Sequence, residues 1–177
     1  MLPLGVCVFS EPAPNRPRSV SYPGYVREIL DHAGVGYETV SAEDLPGKLP
    51  GLKVLVTVGD AALTDAARTA LRQWVKAGGA WINVCGLLGL EDLLGVESHN
   101  TFTGWGAGLR TLGEGYLAPG PHTLLSGIDK PLHFFNGLGL KGTTATVLGS
   151  ALDAHGRPPP PAARIPVAAP DTERATR

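Results

Sequence analysis

The sequence has almost no net charge and no long apolar run. Its 177 residues include 15 Lys and Arg against 16 Asp and Glu, for a formal net charge of -1. Such a balance gives no basic field for nucleic acid or for an anionic membrane surface. No apolar run approaches the roughly 20 residues that a membrane-spanning helix needs. We therefore predict neither a nucleic-acid partner nor a membrane partner.

Cysteine is scarce: Cys7 and Cys85 are the only two. Both lie on or beside predicted buried strands, and free buried thiols fit a reducing compartment. Residues 1–9 lack the basic region and cleavage site of a signal peptide, so we expect a strand there and a cytoplasmic protein.

Metal and cofactor motifs are missing as well. No His, Cys and Asp residues have metal-ligand spacing. The Gly-rich stretch 104–108 does not follow a strand and open a helix with dinucleotide-binding spacing. We predict no metal and no cofactor.

The most regular pattern in the chain covers residues 53–96. An apolar strand, 54–58, is followed by a turn at Gly59 and an amphipathic helix that Thr64 caps and that ends at Gly78. A second apolar strand, 80–84, comes next. Two short apolar strands joined by a helix predict a right-handed βαβ unit in a parallel sheet covered on both faces.

The remaining segments extend this pattern. We predict strands at 4–9 and 37–40, and helices at 24–32 and 87–94. Short segments at 115–117, 132–136 and 138–141, in which apolar and polar residues alternate, predict antiparallel strands. Residues 143–148 are rich in β-branched side chains and predict a further strand. The predicted fold is α/β, a flavodoxin-like three-layer sandwich with a mostly parallel sheet and an added β-hairpin layer. The domain would span 1–153, with 97–141 as a β-rich insertion or extension and 154–177 as a Pro-rich, disordered tail.

Cys85 is the candidate nucleophile. It lies where a buried strand ends and a helix is expected to start, so a helix dipole would favour its thiolate. The base would be His99, His122 or His133, but no His is followed two residues later by a carboxylate that could orient it. The alternative interpretation is that Cys85 is a small apolar residue filling the end of a strand.

Acidic residues follow two other strands of the same predicted sheet. Glu11 would emerge at the same edge as Cys85, where its carboxylate could hold a reactive thiol in place. The alternative interpretation is that Glu11 is a solvent-exposed carboxylate in a loop. Asp60 shares that edge, with a turn or cap role as its alternative. Arg16 and Trp105 complete the ligand-binding candidates. Arg16 and Arg18 are too few arginines to indicate a phosphate site. The Trp105 ring could stack on a sugar, or it could belong to the core of a β layer.

The run VLVTVGDAALTDAARTALRQWVKAGGAWINVCGLLGLEDLLGV resembles the class I glutamine amidotransferase-like superfamily. It is most similar to the branch with the trimerisation domain of family 42 β-galactosidases and the ThuA-like proteins. The similarity covers roughly 4–148, and the later PGPHTLLSGI resembles a turn common in that branch, with Thr123 in place of a proline.

The resemblance also has departures. The amidotransferase elbow G-x-C-x-G has Asn83 and Leu87 where it needs glycines, and no His-x-Glu pair occurs in the chain. The resemblance therefore implies the fold without the glutaminase chemistry.

Three functions follow as hypotheses. The first is a non-catalytic assembly or accessory module of carbohydrate-active enzymes, with a glycosidase catalytic domain or further copies of the chain as partners and carbohydrate as a ligand. The second is a cysteine-dependent amidohydrolase or amidotransferase using Cys85, with Glu11 and His122 or another His. The third is a small-ligand-binding regulatory domain with the loop 10–22 as a lid.

Overall fold

The computed structural model describes residues 3–8, 22–59, 63–84, 86–98, 111–157 and 168–169. The chain divides into two compact units, Met1–Leu90 and Glu91–Arg177. The predicted domain limits at residues 97, 141 and 153 remain predictions, as does the disordered tail.

The first unit is built on a parallel sheet. Its strands are β1 (Leu4–Val8), β2 (Glu38–Val40), β3 (Val54–Val58) and β4 (Ala80–Val84), in the spatial order β2-β1-β3-β4. All three pairings are parallel. This is the strand order of doubly wound, flavodoxin-like sheets, so the predicted α/β class is confirmed.

The helices of this unit connect the strands. They are α1 (Tyr22–His32), α2 (Leu45–Lys48) and α3 (Asp65–Lys76), and a 3₁₀ turn, Leu49–Gly51, follows α2. The start of α3 is the one that the sequence predicts, because the Thr64 hydroxyl accepts a hydrogen bond from the Ala67 backbone N–H at 3.2 Å.

Both faces of the sheet carry buried side chains. On one face Leu4, Val6, Val56 and Val58 form a core cluster, and Val26 and Leu30 of α1 pack against it. On the opposite face, which alternates with the first along each strand, Leu55, Thr57 and Trp81 are buried. Near-continuous apolar strands such as β3 are typical of sheets covered on two sides.

The second unit is antiparallel. After a single helical turn, α4 (Glu91–Leu94), β5 (Val96–Ser98) pairs with β8 (Leu140–Gly142). A three-stranded sheet in the order β10-β6-β7 contains β6 (Thr111–Pro119), β7 (Leu132–Leu138) and β10 (Gly149–Leu152). The antiparallel strands predicted at 115–117 and 132–136 lie inside β6 and β7.

The strand predicted at 143–148 is wrong over most of its length. Only Thr146–Val147 is extended; this is β9, which pairs with β11 (Ala168–Ala169). The backbone N–H groups of Thr143, Thr144 and Ala145 all donate to the Gly95 carbonyl oxygen, at 2.8, 3.2 and 3.1 Å. Three donors that converge on one acceptor make a turn, which overrides the β-branched composition of this segment.

Candidate functional site

Three parallel strands end together at one edge of the first unit's sheet. Val8 of β1, Val58 of β3 and Val84 of β4 are in register, and the Gly59 N–H donates to the Val84 carbonyl oxygen at 2.9 Å. The chain leaves β1 towards β2 and leaves β3 towards β4, in opposite directions along the sheet. Such a reversal is where doubly wound folds place ligands. The three strands thus end at the same edge of the sheet, as predicted, while the positions of Glu11, Asp60 and Cys85 at that edge remain predictions.

A chain of polar side chains runs along β3 and β4 to this edge. Thr57, which is fully buried, accepts a hydrogen bond from Trp81 Nε1 and donates one to Asn83 Oδ1, both at 2.8 Å. The Asn83 amide Nδ2 donates in turn to the Gly86 carbonyl oxygen at 2.7 Å. Asn83 stands where an amidotransferase elbow needs glycine, and here its amide ties down the backbone that follows β4.

The segment after β4 is a turn, not the start of a helix. Gly86, Leu88 and Gly89 have φ values of 100°, 55° and 65°. A positive φ is incompatible with a right-handed helix, and it is strained for Leu88, which is a non-glycine residue. The helix predicted over 87–94 begins only at Glu91 and is four residues long.

This correction bears on the chemistry expected at position 85. Activation of a thiol by a helix dipole needs a helix N-terminus directly after the strand, since the effect falls off within one turn. The described residues 86–90 provide a turn closed by the Leu90 N–H on the Leu87 carbonyl oxygen at 2.9 Å. Leu87, Leu88 and Leu90 are all buried. The leucines that suggested a helical pattern are thus buried without forming one.

Most of the predicted site residues lie outside the described part of the chain, and their roles remain predictions. They are Cys85, Glu11, Asp60, Arg16, Trp105 and the alternative base His99.

His122 is described, and it caps a short turn. It precedes the 3₁₀ turn Thr123–Leu125, and its Nδ1 accepts a hydrogen bond from the Leu124 backbone N–H at 3.1 Å. An accepting Nδ1 carries no proton, so the neutral ring has its proton on Nε2. The side chain is exposed; its predicted role as a base stays a prediction.

His133 has a carboxylate partner that sequence reasoning missed. Its Nε2 lies 2.9 Å from Glu114 Oε1, and the His133 and Tyr116 rings are 5.0 Å apart between centroids. Tyr116 lies directly opposite His133 in the β6–β7 register, and Glu114 lies two residues further along the same face. The pairing joins residues 19 positions apart, so only the register of the two strands could have revealed it.

The described residues contain no group of three or more His, Cys, Asp or Glu side chains arranged to hold a metal ion. Among the helices that the structure describes, none is long and apolar enough to cross a membrane.

No protein-family model matches the chain, and no curated protein sequence matches it significantly. Among solved structures, the chain is similar to a β-galactosidase from Rahnella sp. R3, with a TM-score of 0.60 and 15% identity over 90% of this chain. It spans only 26% of that β-galactosidase chain.

Two further structures are similar to this chain. A putative GMP synthase subunit from Thermoplasma acidophilum has a TM-score of 0.53 and 12% identity, and the match covers 90% of this chain and 77% of that one. The exo-β-1,4-mannosidase Op5Man5 from Opitutaceae bacterium strain TAV5 has a TM-score of 0.49 and 16% identity, covering 89% of this chain and 28% of that one. At such identities the likeness is one of fold: the chain shares its α/β architecture with part of a β-galactosidase and with most of a GMP synthase subunit.

Proposed function

We propose that this chain is a non-catalytic module of amidotransferase-like fold that accompanies a glycosidase catalytic domain in the cytoplasm. The observation that carries the proposal is the turn at residues 86–90. In a catalytic nucleophile elbow a helix begins directly after the nucleophile, whereas here residues 86–90 form a turn. No helix dipole is therefore available to favour the thiolate at position 85.

The association with a glycosidase is supported by the fold comparison. The same architecture occurs in the Rahnella β-galactosidase, where it amounts to 26% of the chain. A fold by itself does not define a function, so this part of the proposal rests on analogy. The family 42 trimerisation-domain branch, to which residues 54–96 show the resemblance, is the specific relationship that we propose.

The experiment uses the native protein. The protein is tagged in the cells that produce it, cross-linked and purified, and the eluate is assayed on a panel of nitrophenyl glycosides and on glutamine. We expect glycosidase activity to accompany the tagged protein, whether on the same polypeptide or on a partner. We expect no ammonia release above that of the Cys85→Ser variant. An eluate without glycosidase activity that releases ammonia from glutamine, and that loses this activity in Cys85→Ser, would overturn the proposal.

The second candidate is the cysteine-dependent hydrolase or amidotransferase. The shared strand edge favours it, since β1 and β4, which precede Glu11 and Cys85 in the sequence, end at the same edge of the sheet. The chain also covers 77% of the GMP synthase subunit with which it shares its fold. The glutamine assay above distinguishes the two candidates directly.

The third candidate, a ligand-binding regulatory domain, is favoured by the reversal of chain direction between β1 and β3. Asp60 and Arg16 follow these strands in sequence. A rise in melting temperature with galactose or a nucleotide, lost in Asp60→Ala, is the result expected for this candidate, because a ligand that binds only the folded state stabilises it.

A further inference from the structure

The three-stranded sheet of the second unit has one face that carries exposed polar side chains. Successive side chains of a strand point to opposite faces, and directly opposite residues of neighbouring strands project to the same side. Gly115 and Ala151 lie on one face and are buried. Glu114, Tyr116 and His133 share the other face through the register of β6 and β7. We call these three residues the β6–β7 cluster.

The side chains of the β6–β7 cluster hold one another in place. Glu114 Oε1 lies 2.9 Å from His133 Nε2, and the Tyr116 and His133 ring centroids are 5.0 Å apart, with the ring planes tilted by 49°. The Glu114 and His133 side chains are nevertheless 52% and 38% exposed. Side chains that are already ordered lose less conformational freedom when a ligand binds. The cluster is therefore both preorganised and accessible.

The composition of this face disfavours two common classes of ligand. The residues on it whose side chains the structure describes are Glu114, Tyr116, Ala118, His133, Ser150 and Leu152. None of these is Lys or Arg, and the Glu114 carboxylate repels a phosphate or carboxylate ligand. None of the exposed large apolar residues in the described part of the chain belongs to this face, so it offers an apolar protein partner little to cover.

A neutral sugar ring matches the groups that are present. The face of an aromatic ring carries partial negative charge, which attracts the C–H groups on the apolar side of a pyranose. Sugar hydroxyls donate to a carboxylate, and an imidazole can both donate and accept hydrogen bonds. In galactose the axial 4-hydroxyl leaves the hydrogens on C3, C4 and C5 together on the opposite side of the ring, so this sugar has a continuous C–H surface for stacking.

We propose that the β6–β7 cluster binds a pyranoside of the galactose type, with the C–H side of the sugar on the Tyr116 ring and its hydroxyls on Glu114 and His133. The choice of a galactoside rests on the proposed function, which the site deepens by giving the module a ligand of its own. The cluster lies within the second unit and uses neither Cys85 nor the strand edge of the first unit.

An NMR titration of the purified full chain with methyl β-D-galactopyranoside tests the proposal. We expect saturable shifts of the backbone amides of residues 114–118 and 132–134, with a dissociation constant of about 1–10 mM, because one stacked ring and a few exposed hydrogen bonds give a small ligand little affinity. Methyl β-D-glucopyranoside should bind more weakly, because its equatorial 4-hydroxyl moves the C4 hydrogen to the other side of the ring.

Substitutions of Tyr116 separate the ring from its hydroxyl. Tyr116→Leu should weaken binding about tenfold or more, whereas Tyr116→Phe should bind about as tightly as wild type because it keeps the ring. Glu114→Ala, at an exposed position, should also weaken binding and gives a second test where Tyr116→Leu does not fold. Leu124→Ala is the control, since Leu124 is 70% exposed in the same unit and lies outside the cluster. Asp60→Ala should likewise leave the titration unchanged, because residue 60 belongs to the first unit.

The absence of saturable shifts up to ~100 mM galactoside would overturn the proposal. So would shifts that both Tyr116→Leu and Glu114→Ala leave unchanged, equal binding of the glucoside, or tighter binding of choline, which would make the ring and the carboxylate a cation site. A tagged protein that co-purifies with glycosidase activity but does not bind the galactoside would overturn this site and leave the proposed function standing. Galactoside binding by a protein that no glycosidase accompanies would keep the site and overturn the proposed association.

Discussion

At the scale of single residues, the Thr57 hydroxyl joins two strands of the parallel sheet. It is the one buried polar side chain among the described residues, and it accepts from the Trp81 indole while donating to Asn83. Both hydrogen-bonding functions of the hydroxyl are therefore used, and the buried polar groups satisfy one another.

We expect Thr57→Val to lower the free energy of unfolding by about 1–3 kcal/mol, because the isosteric side chain leaves the buried indole N–H without an acceptor. Urea denaturation measures the change. The control is the double-mutant cycle with Trp81→Phe, in which the cost of Thr57→Val should fall, because the indole N–H is no longer present. Equal costs in both backgrounds would contradict the assigned hydrogen bond.

Asp153 organises the turn that follows β10. The hydrogen bond from the Arg157 backbone N–H holds the pKa of Asp153 below its ordinary value; the Arg157 side chain and the His155 backbone N–H lower it further, against an opposing effect of burial. A lowered pKa in the folded state means that the carboxylate stabilises the fold above its unfolded-state pKa of about 3.9, and that this stabilisation is lost as the pH falls through the folded-state pKa.

We therefore predict that the pKa of the Asp153 carboxyl lies below the ordinary Asp value in an NMR pH titration. Arg157→Ala should move its pKa upward, while keeping the backbone donor. Asp153→Asn should be less stable than wild type at neutral pH, and the difference should shrink at acid pH. A carboxyl that titrates at or above the ordinary Asp value would contradict the assignment.

The residue contacts were the least predictable part of the molecule. Cap formation by Thr64 follows from local sequence and is confirmed, because an N-cap involves residues three positions apart. The His133–Glu114 pair could not be predicted, because it depends on the register of β6 against β7. The network from Trp81 to Gly86 depends in the same way on the register of β3 against β4.

At the scale of elements, the βαβ unit over 54–84 was predictable because apolar periodicity and glycine stops agree with one another along the whole segment. The helix predicted at 87–94 was wrong over its first half because Leu87, Leu88 and Leu90 are buried in a turn. Gly86 and Gly89 were the available signal, since paired glycines often mark positive φ.

Gly95 is the element-scale position that we expect to be least tolerant of a side chain. Its φ is +68°, and a Cβ there would lie 2.6 Å from Thr144 Oγ1 and 2.8 Å from the Ala145 backbone N. Gly95 also accepts the three N–H groups that shape the turn before β9. Gly95→Ala should therefore destabilise the protein by more than the about 1 kcal/mol of a positive φ alone.

Gly34→Ala provides the comparison, because Gly34 has a φ of +64° and nothing within 4 Å of its Cβ position. Hydrogen exchange should show faster exchange of the Thr143, Thr144 and Ala145 amides in Gly95→Ala, and no such change in Gly34→Ala. Equal losses of stability in the two variants would show that the space around Gly95 is larger than described.

At the scale of the whole molecule, sequence and structure agree on the class of fold. The parallel order β2-β1-β3-β4 confirms the predicted α/β architecture, and the likeness to part of a β-galactosidase and to a GMP synthase subunit supports the same assignment. The function could not be predicted to the same depth. The β-galactosidase and the GMP synthase subunit share this fold although they are different proteins, so the fold alone does not define a function. What distinguishes the non-catalytic module from the cysteine-dependent enzyme is the chemistry of one thiol.

The pKa of the Cys85 thiol is the measurement that tests the central claim most directly. The rate of iodoacetamide alkylation is followed against pH, and mass spectrometry of the Cys85 peptide separates it from Cys7. We expect an apparent pKa at or above about 8.5, because residues 86–90 form a turn where a helix N-terminus would be needed to favour the thiolate. A pKa below about 7 would contradict the non-catalytic assignment and make Cys85 a nucleophile.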